Sequence, residues 1–224
     1  RKIFKGHEDT HKVEQLKKFY NIDNKILLSI WADEEDKARG KKMVEGIGPL
    51  IAISPFSSFR YKDWSIKNYI NLLNNDFFSN YRVVIVGISK DIQDNESFEE
   101  LLKISNVKII NLIDKSDLRE TSVIIDLCKL FIGSDSGLMH IATSTKCRTI
   151  GLFGPSNDKV YGPWGEKNVA IRGRSLFDLK EKLNMLNKSK KNIDLRYVGN
   201  TQSGENLKKS SLLDDITVEK VLNY

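Results

Sequence analysis

The chain has 224 residues, with 36 Lys plus Arg against 30 Asp plus Glu, a formal net charge of +6; 40% of its residues are hydrophobic and 29% charged. That balance excludes a disordered, collagen-like or multi-span membrane protein, and the length suits one large or two small domains with a real core. The two cysteines, Cys128 and Cys147, are too few for a disulfide framework or a thiolate metal cluster. They are expected as small packing residues in a reducing cytoplasm.

No apolar run approaches the ~20 residues of a membrane helix, and residues 1–20 lack the apolar stretch of a signal peptide. The first residue is Arg1 rather than Met, so further sequence is expected upstream. Lysines are dispersed without a block that would read as a nucleic-acid arm, so no nucleic-acid partner is expected. The modest basic excess suits an anionic small molecule or an anionic membrane face.

Residues 1–48 read as a linker with lead-in helices. Val13, Leu16, Phe19 and Tyr20 fall at helical spacing over residues 11–20. Residues 25–31 (KILLSIW) predict a short strand. The acidic run Asp33 to Asp36 then opens a helix to about Val44, its charges favourable at the dipole's positive end. From Pro49 short apolar strands alternate with helices. Strands are predicted at 50–54, 82–86, 107–112, 130–132, 148–153 and 168–172. Helices are predicted at 64–76, 95–104, 116–127 (capped by Ser116) and from Gly137 to about Ser144. Wholly apolar strands in this alternation predict an α/β fold, a doubly wound, Rossmann-like parallel sheet over residues 49–173. Residues 174–224 form a Lys/Asn-rich tail, with one helix expected at 176–186 and a short one around Val218, Val221 and Leu222.

In an open parallel sheet, ligands lie outside the carboxyl ends of the strands. After the first strand comes Pro55-Phe56-Ser57-Ser58-Phe59-Arg60-Tyr61-Lys62, whose hydroxyls and cations suit phosphate oxygens. After the second comes Gly87 to Asp91, where the Asp91 carboxylate can accept from ribose hydroxyls. After the fourth comes Gly133-Ser134-Asp135-Ser136-Gly137-Leu138-Met139-His140. Its small residues admit a ligand close to the backbone, and its helix opens toward the ligand edge. Ser136 and His140, four apart, share one face of that helix. Three of the four prolines, Pro55, Pro155 and Pro163, stand at the same edge. No GxGxxG, GxxxxGK[ST] or GxSxG motif is present, which argues against a dinucleotide dehydrogenase, a P-loop nucleotidase and an α/β-hydrolase. The composite predicts a site for a diphosphate-bearing ligand with hydroxyl contacts and no metal or other cofactor.

The segment Phe131 to Ala142 resembles the hallmark of glycosyltransferase family 9, the ADP-heptose:lipopolysaccharide heptosyltransferases. Lys62-x-Trp64, Leu152-Phe153-Gly154-Pro155 and Gly162-Pro163-Trp164 agree with that family in order and spacing, and the similarity spans about residues 11–172. The resemblance implies one half of a GT-B arrangement, the carboxyl-terminal half that binds the nucleotide-sugar donor, here expected to be ADP-heptose. It implies Ser57, Ser58 and Lys62 on the diphosphate and Asp91 on the ribose. It implies Asp135, Ser136, Gly137 and His140 around the phosphates and sugar, with Lys62 and His140 as the catalytic pair. Pro55 and Lys115 are weaker candidates lining the nucleotide side. It further implies inverting, metal-independent transfer to a lipid-linked glycan such as lipopolysaccharide core. The site of action would be the cytoplasm, at the inner face of the inner membrane. The resemblance places the family's base in an amino-terminal domain that is expected to lie outside this chain.

Three departures stand out. Lys146-Cys147-Arg148 replaces the family's small residue and proline, Asp91 replaces a Glu, and residues 175–211 are unlike the family's tail. Two other readings remain open at this point: a non-catalytic nucleotide-sugar-binding half-protein, and a transferase using a UDP- or GDP-sugar.

Overall fold

The computed structural model describes residues 9–92, 95–173 and 212–224. Six strands form one all-parallel sheet: β1 (Leu50–Ser54), β2 (Arg82–Ile85), β3 (Lys108–Asn111), β4 (Cys128–Ser134), β5 (Arg148–Phe153) and β6 (Val169–Arg172), in the order β3-β2-β1-β4-β5-β6. The register aligns Ile53 with Ile85 on one side and Ile132 on the other, and Ile132 with Ile150. All five residues of β1 are buried, as a central strand covered on both faces requires.

Two helices, α1 (Lys12–Tyr20) and α2 (Glu34–Met43), precede the sheet. Within it, side chains alternate between two cores. One face packs Ile51, Ile53, Ile85, Ile132 and Leu152 against α3 (Ile66–Leu73) and α4 (Asn95–Leu102). The other packs Ala52, Val84, Phe131 and Phe153 against α5 (Leu118–Asp126) and α6 (Gly137–Thr143). A single turn, α7 (Asp158–Tyr161), follows β5. The fold is therefore the doubly wound α/β sheet that the sequence predicts.

Several boundaries move for identifiable reasons. Helix α3 starts at Ile66, because the Ser65 hydroxyl caps the Asn68 N–H. Trp64, expected inside that helix, is fully buried and donates its indole N–H to the Ile216 carbonyl at 2.7 Å. Helix α5 is capped by Asp117 rather than Ser116. The Asp117 carboxylate accepts from the Arg119 and Glu120 N–H groups at 2.8 Å each, and Glu120 reaches back to the Asp117 N–H, a capping box. Ser116 instead bonds Thr121 at 2.8 Å. Strand β4 runs through Gly133 and Ser134, because these pair with Gly151 and Leu152 of β5.

The strand expected at residues 25–31 does not form. This stretch, between α1 and α2, joins no ladder, and Leu27 and Trp31 are 81% and 69% exposed. It is tied at the Ile26 carbonyl by the Trp164 indole at 3.0 Å.

Packing continues across residues 48 and 173. Helix α2 lies on α5, where Gly40 leaves only 3.0 Å between an added Cβ and Val123. Val44 is buried in the core, and the Arg82 guanidinium bonds the carbonyls of Val44, Glu45 and Gly46 at 2.9 to 3.1 Å. At the other end, Leu213, Ile216 and Val221 of the segment bearing α8 (Val218–Leu222) enter the α3–α4 core. The helix expected at 176–186 lies outside the described residues. No helix among the described residues is long and apolar enough to cross a membrane.

If the terminal segment is structural, Leu213→Ala should destabilise the fold by about 2–5 kcal/mol, the cost of truncating a core leucine. Urea unfolding measures this, and a change below about 0.5 kcal/mol would detach residues 212–224 from the domain.

Candidate functional site

The sheet order reverses between β1 and β4. The chain leaves β1 toward α3 on one face and leaves β4 toward α6 on the other; at such a switch point open α/β sheets hold ligands in a crevice outside the carboxyl ends of the strands. Two segments meet there. From β1, the loop enters a 3-10 turn, Arg60–Lys62. From β4, Asp135 and Ser136 lead into α6.

Lys62 and Asp135 form an ion pair across the crevice, Nζ to Oδ2 at 2.8 Å, with both side chains largely shielded from solvent. The other Asp135 oxygen stands 3.8 Å from His140 Nε2, one turn into α6. Burial pushes the His140 pKa below its ordinary value, more strongly than Asp135 raises it, so the imidazole is neutral at neutral pH. Tyr61, the residue before Lys62, is stacked on Phe59 at 5.4 Å between centroids, and burial raises its phenol pKa with a smaller push from Asp135.

Ser136 is the N-cap residue of α6, yet its hydroxyl makes no capping bond and is buried with no partner. An N-cap serine ordinarily accepts from an N–H in the first turn. Here Ser136 gives those N–H groups no side-chain cap, and the helix start directly follows Asp135, the partner of Lys62. The Ser134 and Ser54 hydroxyls, at the ends of β4 and β1, are also buried without a partner.

Lys62, Asp135, Ser136, Gly137 and His140 are thus brought together. Among the described residues, the other predicted residues form no hydrogen bond or ion pair with that group. Ser57 is buried and donates to Asp63 Oδ1 at 2.7 Å, which shapes the β1 loop from within. Ser58 is exposed on the same loop, and Pro55 is buried at its root. Asp91 ends a 3-10 turn after β2, and partial burial raises its pKa against the opposing pull of Lys90. Lys115 is exposed, with Nζ on the Asn111 carbonyl at 2.9 Å. Among the described residues, no three His, Cys, Asp or Glu side chains converge as a metal site. Both cysteines are buried, and burial raises both thiol pKa values, that of Cys147 to about 12.

Two features escape sequence reading. His11 caps α1, its Nδ1 accepting the Val13 N–H at 3.1 Å, which assigns the ring proton to Nε2 for donation to the Gly162 carbonyl at 3.0 Å. Its ring lies 4.7 Å from that of Trp164, so Gly162-Pro163-Trp164 clasps the lead-in segment. Arg172, at the end of β6, gathers the Gly154 and Ser156 carbonyls and pairs with Asp158 at 2.8 Å, which fixes the loop after β5. No local motif announces either residue, because their partners lie 151 and 14 to 18 positions away.

The sequence model of glycosyltransferase family 9 (heptosyltransferase) matches residues 12–191. Lipooligosaccharide heptosyltransferase 2 of Campylobacter jejuni is 31% identical over 175 residues, which cover 74% of this chain and 54% of that protein. The chain spans about half the length of the curated relatives it matches over that region. Among solved structures, a family 9 glycosyl transferase from Veillonella parvula aligns with a TM-score of 0.68 at 20% identity, over 97% of this chain and 60% of that one. The ADP-heptose lipopolysaccharide heptosyltransferase II of E. coli aligns with a TM-score of 0.62 at 22% identity, over 87% and 51%. These two share the fold, and this chain corresponds to one half of the GT-B arrangement. With the family model covering all six strands and every residue of the Lys62–Asp135–His140 group, the chain belongs to glycosyltransferase family 9, the heptosyltransferases.

Proposed function

We propose that this chain is the donor-binding half of an inverting glycosyltransferase. It takes a nucleoside diphosphate sugar, ADP-heptose by its relatives' names, and serves transfer to lipopolysaccharide core or a related glycan. The observation that carries the reading is the Lys62–Asp135 pair at the switch point, next to an uncapped helix start and the unpartnered buried Ser136 hydroxyl. Each offers a donor or a positive charge, and together they match the oxygens of a diphosphate.

In the displacement, an acceptor hydroxyl attacks the anomeric carbon while the bond from that carbon to the β-phosphate oxygen breaks. The electron pair leaves with the diphosphate, so charge grows on that oxygen. Preorganised donors aimed at growing charge lower the barrier. Lys62 and the first N–H groups of α6 fill that role, and no metal is required for it. Asp135 holds Lys62 in place before the donor arrives and then accepts a hydrogen bond from a sugar hydroxyl. Neutral His140 hydrogen-bonds the sugar or the bridging oxygen. Asp91 receives the ribose hydroxyls further along the same edge. The base for the acceptor hydroxyl comes from a partner amino-terminal half, and the lipid-linked acceptor places the work at the cytoplasmic face of the inner membrane.

Glycines separate shape from binding. At Gly137 an added Cβ meets nothing within 4 Å, whereas at Gly133 it meets the Phe131 ring at 2.8 Å. Gly137→Ala should therefore leave thermal stability unchanged and weaken ADP binding, while Gly133→Ala should lower stability. If Gly137→Ala binds ADP as tightly as the parent, no ligand approaches that backbone.

Calorimetry with ADP should show Lys62→Ala weakening affinity about 10- to 100-fold, the ~1.5–3 kcal/mol of a charge-assisted hydrogen bond. Unchanged ADP binding in the Lys62→Ala/Asp135→Ala double variant would remove the site. Competition with UDP and GDP reads the base.

The His140 pKa, lowered on folding, means the unfolded chain binds more protons. This group's contribution therefore subtracts stability as pH falls through the ordinary imidazole range and is neutral above it. An NMR titration should place its midpoint below 6.5, and Asp135→Asn should lower it further, since Asp135 opposes the shift. ADP affinity should rise as His140 protonates. A midpoint above 6.5 contradicts this account.

A further inference from the structure

At the sheet edge opposite the donor crevice, near the amino ends of β1, β4 and β5, lies a cavity of about 200 Å³. Ile51, Ile132 and Ile150 are its floor, each buried in the sheet. Val221 and Leu222 of α8 wall one side. Phe77 and Tyr81, stacked at 5.8 Å between centroids, line another side, and Phe77 is 60% exposed. Apolar walls of this volume accept an alkyl segment; an apolar cavity somewhat smaller already takes a benzene-sized guest.

The charged side chains that line it are of one sign. Lys129 and Arg148 line the cavity and are exposed to solvent, and among the described residues no acidic side chain lines it. Among those residues, neither cation has a side-chain hydrogen bond or carboxylate partner. Hydrocarbon walls, a rim of aromatic rings and two unpaired cations match the layers of a membrane interface: chain, glycerol level, anionic head. A second copy of this chain docked by the same face would bring the same two cations against them, which opposes self-association. A free inorganic anion would leave the apolar walls without a role.

We infer that this cavity receives an acyl chain of an anionic phospholipid, with Lys129 and Arg148 on its phosphate. The inference deepens the membrane placement proposed above and uses none of the donor-site residues. Each reading can therefore fail alone: the variants below should bind ADP like the parent.

Co-sedimentation with vesicles tests it. The full chain should partition onto phosphatidylglycerol/phosphatidylcholine vesicles and not onto phosphatidylcholine alone. Lys129→Ala/Arg148→Ala should lower that partition about 10- to 30-fold, the effect of withdrawing two basic side chains from an anionic surface. Lys103→Ala/Lys108→Ala removes the same charge at exposed positions elsewhere and should change it less than about twofold. Equal effects in the two double variants would mean net charge alone drives binding, and would overturn the site. Leu222→Trp, which fills the cavity without changing charge, should weaken partition as well. Monomeric dihexanoyl phosphatidylglycerol should bind the parent in calorimetry and not Lys129→Ala/Arg148→Ala. Absence of that binding overturns the cavity as the seat. A dimer in light scattering that Phe77→Ser dissociates, with no vesicle binding, would assign the face to a second copy instead.

Discussion

A parallel sheet cannot leave a face in water, because its strands are apolar on both sides and its crossovers place a helix over every connection. In this chain that constraint decides where everything else goes. β1 begins the sheet in its middle. The next two strands extend it one way, and the last three extend it the other. The helices after β1 and β4 therefore depart to opposite faces, which makes the carboxyl ends of these two strands the switch point of the sheet. The Lys62–Asp135 pair spans that point, one residue from each side, 73 positions apart in sequence.

The charge logic of the switch point is coherent. A lysine alone at the mouth of a crevice would be solvated and mobile. Held by Asp135 at 2.8 Å, it is preorganised, at the cost of a carboxylate near an expected anion. The second Asp135 oxygen stands 3.8 Å from His140, whose imidazole burial keeps neutral. Ser136 completes the arrangement by leaving its cap position unused. A helix start without its ordinary side-chain acceptor, beside a held cation, is an arrangement that costs the fold stability and favours an incoming anion.

The surrounding loops are held by long-range bonds. Arg172 ties the loop after β5 through two carbonyls and Asp158. His11 and Trp164 tie the lead-in helix to the turn before β6. Gly162-Pro163-Trp164, read from sequence as part of a family pattern, has here a mechanical role: its carbonyl and indole grip residues 11 and 26. At the edge opposite the crevice, the cations and aromatic rings stand open around an apolar hollow.

The sequence by itself determined the periodicity, and with it the sheet. Runs such as Leu50–Ser54 and Arg148–Phe153 are too short and too apolar to be anything but buried strands, and their ends coincide with the structure. It also placed Asp135, Ser136, Gly137 and His140 together, since they are near neighbours along the chain. What only the tertiary structure decided depended on distant partners. Ser57 and Lys62 share one loop and looked alike as phosphate contacts, yet Ser57 turns inward to Asp63 while Lys62 reaches Asp135. Residues 25–31 have strand composition but no ladder to join. Leu213 and Val221, at the end of a polar tail, enter the central core. Local pattern is carried by adjacent residues and survives in one dimension, whereas pairing, docking and the direction of a side chain require knowing what stands opposite.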